Sequence, residues 1–549
     1  MPTCTFSLKD LNSLVKKTIK QSDLKDLLAY AKAELENVSG DDITVQFNDT
    51  NLPYLWSVEG LAVFLRGVLG KEKGIPDIKV SKGPYKIKVD SSVKNVRPCI
   101  ASFVAKGKKI DDHFLKQLIQ MQEKFCEAYG RRREKIAIGV YPAKKITFPI
   151  HYKAVSPKSV KFVPLEFMNE MDLLEILDQH PTGKEYAWIL KDFKKYPLLI
   201  DDNKNVLSFP PIINSESTGR LELSDDEIFF EATGSDRESV GLAANIFAQL
   251  FYERGFEICS VNISYSRGSV VTPEFKTDSI KFKKEDIVKI LGLELKDFEV
   301  KKLLEMARYE FSNYTVTIPA IRNDIMHPVD VVEDIAIMYG YDNIKSVSLT
   351  SYTRGKTFDL RHFIDTVREV IIGQGYQEIA SPILSNKELL ITKMNIKDFG
   401  CVEIMNYTSL NYSVLRSWLL PGLMDVLMRN KHIDYPQKIF EQGIVSVMKD
   451  NKINDFERIA VLSCNANADY TEIRQVLDYL FRMLGVDYDI EDTDHGSFIA
   501  GRAARISVKG KKIAFIGELN PIVLNSFGVD MPAAAFELNL TELFKVLKK

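Results

Sequence analysis

Four carboxylates fall within eleven residues of the stretch Asp324-Ile-Met-His-Pro-Val-Asp330-Val-Val-Glu333-Asp334. Clustered hard oxygen ligands, with no cysteine and only one histidine beside them, favour magnesium over zinc. The spacing predicts a helix that positions them. Pro328 suits a first helical position, where its missing N–H costs nothing, and Gly340 suits the position just past the end. Between them Val329, Val332, Ile335 and Ala336 recur at helical spacing. Asp330, Glu333 and Asp334 are related by i, i+3 and i+4 and so share one face. Asp324 lies on the approach and can fold back towards it. The expectation is a magnesium ion among Asp324, Asp330, Glu333 and Asp334. The competing account is that acidic residues in a first turn merely offset the positive end of the helix dipole.

A second polar group follows two prolines: Asn214, Ser215 and Glu216 after Pro210-Pro211. Ala232-Thr233-Gly-Ser-Asp236 lies a short way downstream, after the apolar run Ile228-Phe-Phe. On residue types alone Asn-Ser-Glu is a turn or an N-cap. Ester hydrolysis by a positioned water is the rival reading. No Ser-His-Asp constellation accompanies it, and His180 is the nearest histidine in sequence. The triple arginine 131–133 reads first as a solvated turn, with contact to RNA or a partner as the alternative.

These groups need several scaffolds. At 549 residues the chain exceeds the roughly 250–300 at which single cores stop growing. The expected class is multidomain α+β, with blocks at 1–75, 91–268, 272–346 and 352–549. In the first, Ser57 is a possible N-cap for an amphipathic helix ended by Gly67 or Gly70, with Trp56 as a packing anchor. In the second, 111–129 is a helix whose inner face carries Phe114, Leu118, Ile119 and Phe125. The strand 136–141 follows, then a hairpin 196–200/206–208, a helix 237–255 and a strand 258–265. In the third, two charged helices, 287–293 and 298–308, flank a break at Gly292. The fourth opens with the helix 358–373. Later it has a helix from Pro421 and a strand–turn–strand over 438–447.

Composition is ordinary, with 45% hydrophobic and 27% charged residues, and the net charge of −2 makes no global electrostatic case for nucleic acid. Six scattered cysteines without a CxxC pair argue against zinc and disulfides, and fit a reducing cytoplasm. No run of 18 apolar residues suits a membrane span, and the start has no apolar core of the signal-peptide kind.

Several long segments resemble the β subunits of phenylalanyl-tRNA synthetase of the archaeal and eukaryotic-cytosolic type: GRRREKIAIGVY, HPTGKEYAWIL, YPLLIDDNKNVLSFPPIINSE, HPVDVVEDIAIMYGY and LRSWLLPGLM. The passage 48–67 is also similar, although Leu52 and Tyr54 stand where the family usually has Arg and Asp. The resemblance implies a central α/β editing domain, a small helical or winged magnesium-binding domain and a C-terminal class II synthetase-like antiparallel core. It implies a catalytic α subunit as partner in an α2β2 assembly, phenylalanine tRNA as substrate, and ATP used by that assembly. The C-terminal core is expected to be non-catalytic. Active members carry an F-R-x-E arginine, but here Phe440 runs directly into Glu441. Where a G-x-x-x-E-R arginine belongs, Leu538 follows Glu537. Neither residue can stabilise phosphoryl charge. For the editing domain the resemblance points to Asn214, Ser215 and Asp236 as catalytic groups for hydrolysing Tyr-tRNA, with Leu207, Glu216 and Thr233 binding the substrate. Asp236 is the expected acceptor for the tyrosyl hydroxyl. The alternatives are a stand-alone hydrolase of mischarged tRNA and a non-catalytic RNA-binding scaffold.

Overall fold

The computed structural model describes residues 1–548, which form two compact units divided between Ser348 and Leu349. The division falls between the third and fourth blocks read from the sequence.

The first unit begins with a three-stranded antiparallel sheet of Thr3–Ser7, Asp42–Phe47 and Ala33–Ser39. The helix Val58–Val68 starts where expected: the Ser57 Oγ accepts from the Gly60 N–H at 3.0 Å, and Trp56 is fully buried. Gly60 is obligatory for this turn, because a Cβ there would lie 1.7 Å from the Tyr54 carbonyl oxygen.

A large mixed sheet follows. Its strands run in the order Ile213–Asn214, Val206–Phe209, Tyr196–Ile200, Ile150–Val155, Val80–Val89, Glu257–Tyr265, Cys99–Lys106, Glu227–Gly234 and Ile136–Pro142. Gly268–Thr272 also pairs with Glu257–Tyr265. Side chains alternate between the two faces. Phe230 joins Phe103, Phe247 and Phe251 under the helices Asp112–Lys124 and Arg237–Glu253, while Phe229 packs on the opposite face with Tyr141 and Leu207. On the first of those helices Phe114, Leu118 and Met121 are buried, but Ile119 is 47% exposed and is not part of the inner face. The two end strands of this sheet come back towards each other. The Tyr141 hydroxyl, on the last strand, lies 3.2 Å from Asn214 Oδ1 on the first. The sheet therefore curls, and a space is enclosed at its seam.

The acidic helix is Pro328–Tyr339. Helices Lys284–Leu291, ended by left-handed Gly292, and Asp297–Met306 both pack against it rather than principally on each other. One continuous apolar core runs from Cys4 to Met338, so the three blocks read in the sequence share their interior. Buried ion pairs tie them. Arg254 donates to both oxygens of Asp10, at 2.7 and 2.6 Å, and to Glu59 at 2.5 Å. Arg66 donates to Glu253 at 2.7 Å.

The second unit is built on a seven-stranded sheet. Its order is Gln377–Glu378, Gln437–Lys449, Lys452–Cys464, Ala533–Asn539, Lys511–Leu519, Phe498–Val508 and Asp489–Asp492. All pairs are antiparallel except the first, which is parallel. Asp359–Gly373, Tyr470–Leu484 and Leu540–Leu547 cover one face. The sequence predicted a strand–turn–strand at 438–447, but Gln437–Lys449 is one unbroken strand paired with Lys452–Cys464. Gly443 is not a turn residue. It makes room for Arg416, whose Nη2 would lie 2.1 Å from a Cβ at that position.

Candidate functional site

The four carboxylates of the acidic segment do not gather into a cage. Asp324 and Asp334 are both taken by Arg322. Its Nε donates to Asp324 Oδ1 at 3.0 Å, its Nη2 to the other oxygen, and its Nη1 to Asp334 Oδ2 at 2.7 Å. The Tyr309 hydroxyl also donates to Asp334, at 2.5 Å. Burial works against the Arg322 charge, but Asp334 foremost holds its pKa well above the ordinary value. Asp330 closes the helix start by accepting from the backbone N–H groups of Met326, at 2.8 Å, and His327, at 2.7 Å. Glu333 accepts from Lys32 at 2.8 Å, and Lys32 also reaches Asp49. Among the described residues no three His, Cys, Asp or Glu side chains converge as a metal site. The four expected magnesium ligands are thus not gathered here: a buried arginine satisfies Asp324 and Asp334, Asp330 is half-buried at the helix start and Glu333 is exposed.

The seam of the large sheet holds a cavity of about 530 Å3, with Glu231, Asn214, Ser208, Arg133 and Tyr186 in its wall. Its size is in the range of small-molecule sites. Glu231 is the centre. It lies mid-strand, almost fully buried, and its Oε1 accepts from the Tyr141 hydroxyl at 2.9 Å. Its Oε2 and the Ser208 Oγ have no hydrogen-bond partner. Burial lifts the Glu231 carboxyl to about 7, with the Tyr141 hydrogen bond and the nearby Arg97 pulling only weakly the other way. A carboxyl tuned to that range can both hold and release a proton near neutrality. Gly139 on the neighbouring strand permits the arrangement, since a Cβ there would sit 2.1 Å from the Tyr141 hydroxyl and 2.6 Å from Glu231 Oε1.

The triple arginine is divided. Arg131 and Arg132 are exposed, as a solvated turn predicts. All three are left-handed, with φ of 50°, 53° and 65°, a conformation costing roughly 1–2 kcal/mol per residue. That turn aims Arg133 inward. Its Nη1 donates to the Ile212 carbonyl at 2.8 Å and to Pro211 at 3.3 Å, and its guanidinium lies 4.3 Å above the Tyr186 ring.

Of the six residues expected in an editing pocket, only Asn214 borders the cavity. Thr233 is fully buried, with its Oγ1 accepting from Arg97 Nε at 3.0 Å. Leu207 points into the opposite core. Ser215 is buried against Ser217, and Glu216 accepts from the Glu166 N–H and from Arg220. Asp236 is an N-cap: it accepts from the Ser239 N–H at 2.8 Å and starts the helix Arg237–Glu253. Helix capping took this residue, because its short carboxylate sits where the helix needs an acceptor. Asp236→Ala will accordingly cost about 1 kcal/mol of stability, read as a lower melting temperature. The sequence did hold a signal for Glu231, a lone carboxylate inside the apolar strand Ile-Phe-Phe-Glu-Ala, where an unpaired charge is rarely tolerated without a task.

In the second unit Phe440 and Leu538 point into the core beneath the helices. Arg416 is buried against Glu441 at 2.5 Å and also binds the Ile444 carbonyl at 2.8 Å. Glu537 accepts from the Leu419 and Leu420 N–H groups at 2.9 and 3.0 Å, and from Arg458 at 3.0 Å. The charged residues of this segment are thus engaged in holding the backbone.

The tRNA synthetase B5 domain model matches residues 280–341, and the phenylalanyl tRNA synthetase beta chain CLM domain model matches 330–540. The phenylalanine–tRNA ligase beta subunits of Pyrococcus abyssi and Pyrococcus furiosus are each 40% identical over 99% of this chain and 100% of their own length. An N-terminal fragment of the Pyrococcus horikoshii phenylalanyl-tRNA synthetase beta subunit superposes with a TM-score of 0.60 at 40% identity, covering 62% of this chain and all of the fragment. Full-length identity at this level, with both domain models in register, places the chain in the family of phenylalanine–tRNA ligase beta subunits.

Proposed function

We propose that the chain works beside a catalytic α subunit in an α2β2 phenylalanine–tRNA ligase and hydrolyses tyrosine wrongly attached to phenylalanine tRNA. The observation that carries the editing half is the proton-poised Glu231, with one carboxyl oxygen unpaired, in the wall of the cavity. An apolar synthetic pocket rejects an added hydroxyl only about a hundredfold, so a second site that welcomes the hydroxyl is the physical remedy. Glu231 is deep in the cavity and takes the ring end, accepting the tyrosyl hydroxyl. Phenylalanine entering there leaves that carboxyl unpaired, which is unfavourable. Asn214 and Arg133 lie nearer the mouth, where the ester and its attacking water belong. Tyr141 fixes both Glu231 and Asn214.

The supporting half is non-catalytic towards ATP. A parallel edge strand on an antiparallel sheet with helices on one face favours a class II synthetase-like core. Its phosphate-binding positions are Phe440, followed by Glu441, and Leu538. The experiment uses preformed Tyr-tRNA and Phe-tRNA. The assembled enzyme deacylates the first and spares the second, while the lone chain gives no ATP–pyrophosphate exchange until the α subunit is added. Exchange by the lone chain would overturn the assignment of synthesis to the partner. Equal deacylation of both tRNAs would overturn the role of Glu231 in selection.

A further inference from the structure

The second unit contains a cavity of about 760 Å3 on the face of its sheet opposite the helices Asp359–Gly373, Tyr470–Leu484 and Leu540–Leu547, walled by Trp418, His495, Phe498, Phe515, Arg458 and Arg505. The editing and synthetic readings leave it without a task. Its charge is unbalanced. Lys397, Arg458, Arg505 and Lys512 line it against two carboxylates, Asp494 and Glu537, and Glu537 is already engaged by Arg458 and two backbone N–H groups. Arg505 lies flat on Phe515, its guanidinium carbon 3.8 Å from the ring centroid. Burial and the neighbouring Arg458 both push the Arg505 pKa down, with no carboxylate offsetting them. The Nε atoms of Arg458 and Arg505 are buried and without an acceptor. Arg458 has Glu537 as its counter-ion, whereas Arg505 is a half-buried cation beside a second one, which is unfavourable unless an anion completes it.

The rest of the wall is flat and apolar. The His495 ring lies 4.7 Å from Phe515, 5.2 Å from Phe498 and 5.9 Å from Trp418. Burial and Arg505 hold the imidazole down to about 4, so it is neutral at physiological pH. Its Nδ1 accepts from the Ser497 N–H at 3.3 Å, leaving the proton on Nε2 as a further donor. Aromatic faces, a stacked guanidinium and unpaired donors together are the ordinary recipe for a planar ring that carries an anionic group.

We propose that this cavity is a binding site for a small aromatic anion, its ring against the Trp418–His495–Phe515 wall and its phosphate or carboxylate on the guanidinium groups of Arg505 and Arg458.

The test is calorimetric titration of the full chain with four probes: adenosine 5′-monophosphate, indole-3-acetate, adenosine and inorganic phosphate. At least one ring-bearing anion should bind with a Kd below about 1 mM, and adenosine and phosphate roughly tenfold or more weaker. The better of the two anions tells phosphate from carboxylate. Arg505→Met should weaken that anion by about tenfold while leaving melting unchanged or raised, because it removes a like-charge neighbour of Arg458. Glu231→Gln, in the other unit, should leave binding intact. Should Arg505→Met fail to fold, Arg505→Lys keeps the charge but loses the flat stack and the guanidinium donors, and should still weaken binding. Absence of binding by both anions at millimolar concentration, or an affinity indifferent to Arg505, would overturn the proposal.

Discussion

Glu231→Gln will stabilise the first unit above pH 7 and at the same time cripple hydrolysis of Tyr-tRNA. The carboxyl stands at about 7 in the folded chain because burial penalises its charge, against an ordinary value of 4.5. Between these values the folded protein holds a proton that the unfolded chain has released. Its contribution is therefore fully present below pH 4.5 and is lost as the pH climbs through 7. The difference amounts to about 3 kcal/mol. Glutamine keeps the shape and the acceptor for Tyr141 but has no charge to bury. The melting temperature of the variant should thus rise relative to wild type from pH 5 to pH 8. Deacylation should fall roughly tenfold to a hundredfold, the worth of a hydrogen bond to an ionised group, with phenylalanine charging by the assembled enzyme unchanged. A variant with no gain in melting at pH 8 would mean that Glu231 is already compensated in the fold. Intact deacylation would move the hydroxyl site elsewhere.

Arg322→Met should be the most damaging single change in the acidic segment. It would leave Asp324 and Asp334 facing each other in the interior; their side chains are 8% and 12% exposed. Removing one partner of a buried ion pair typically costs about 3–5 kcal/mol. The loss should appear as a large drop in melting temperature. Adding Asp324→Asn and Asp334→Asn to the variant should recover much of it, since neutral amides need no counter-charge. Magnesium added to the wild-type lone chain should not raise its melting temperature. A clear magnesium-dependent rise would show that the cation, rather than Arg322, holds these carboxylates.

The elements were legible in the sequence wherever a cap and a periodic apolar face agreed. Ser57, Pro328, Gly292 and Gly340 fell at helix ends as their chemistry dictates. What the sequence could not give was which distant groups meet. Arg322 lies two residues before Asp324 and looks like an ordinary loop cation, yet it decides the fate of two of the four acidic candidates. Asp236 and Glu231 are five residues apart on one strand and its exit. Local motif reading favoured the conspicuous Thr-Gly-Ser-Asp turn, whereas the pocket took the residue whose side chain faces the curled side of the sheet. That curl depends on pairing between strands far apart in sequence, and no local periodicity encodes it.

The Arg254 cluster bears on how such a chain can be shuffled. Asp10, Glu59 and Arg254 lie far apart in the sequence but form one ion cluster, two acids sharing one arginine, with Arg66 and Glu253 beside them. A crossover between two homologous genes anywhere from codon 76 to codon 90 would take the acids Asp10 and Glu59 from one parent and the arginine from the other. Such a hybrid keeps the cluster only if both parents wrote the same code at all three positions. Any parent that solved this joint with other residues would hand on a buried charge without its partner. The N-terminal block and the pocket-bearing sheet are therefore bound to be inherited together, although no residue of 1–75 lines the pocket.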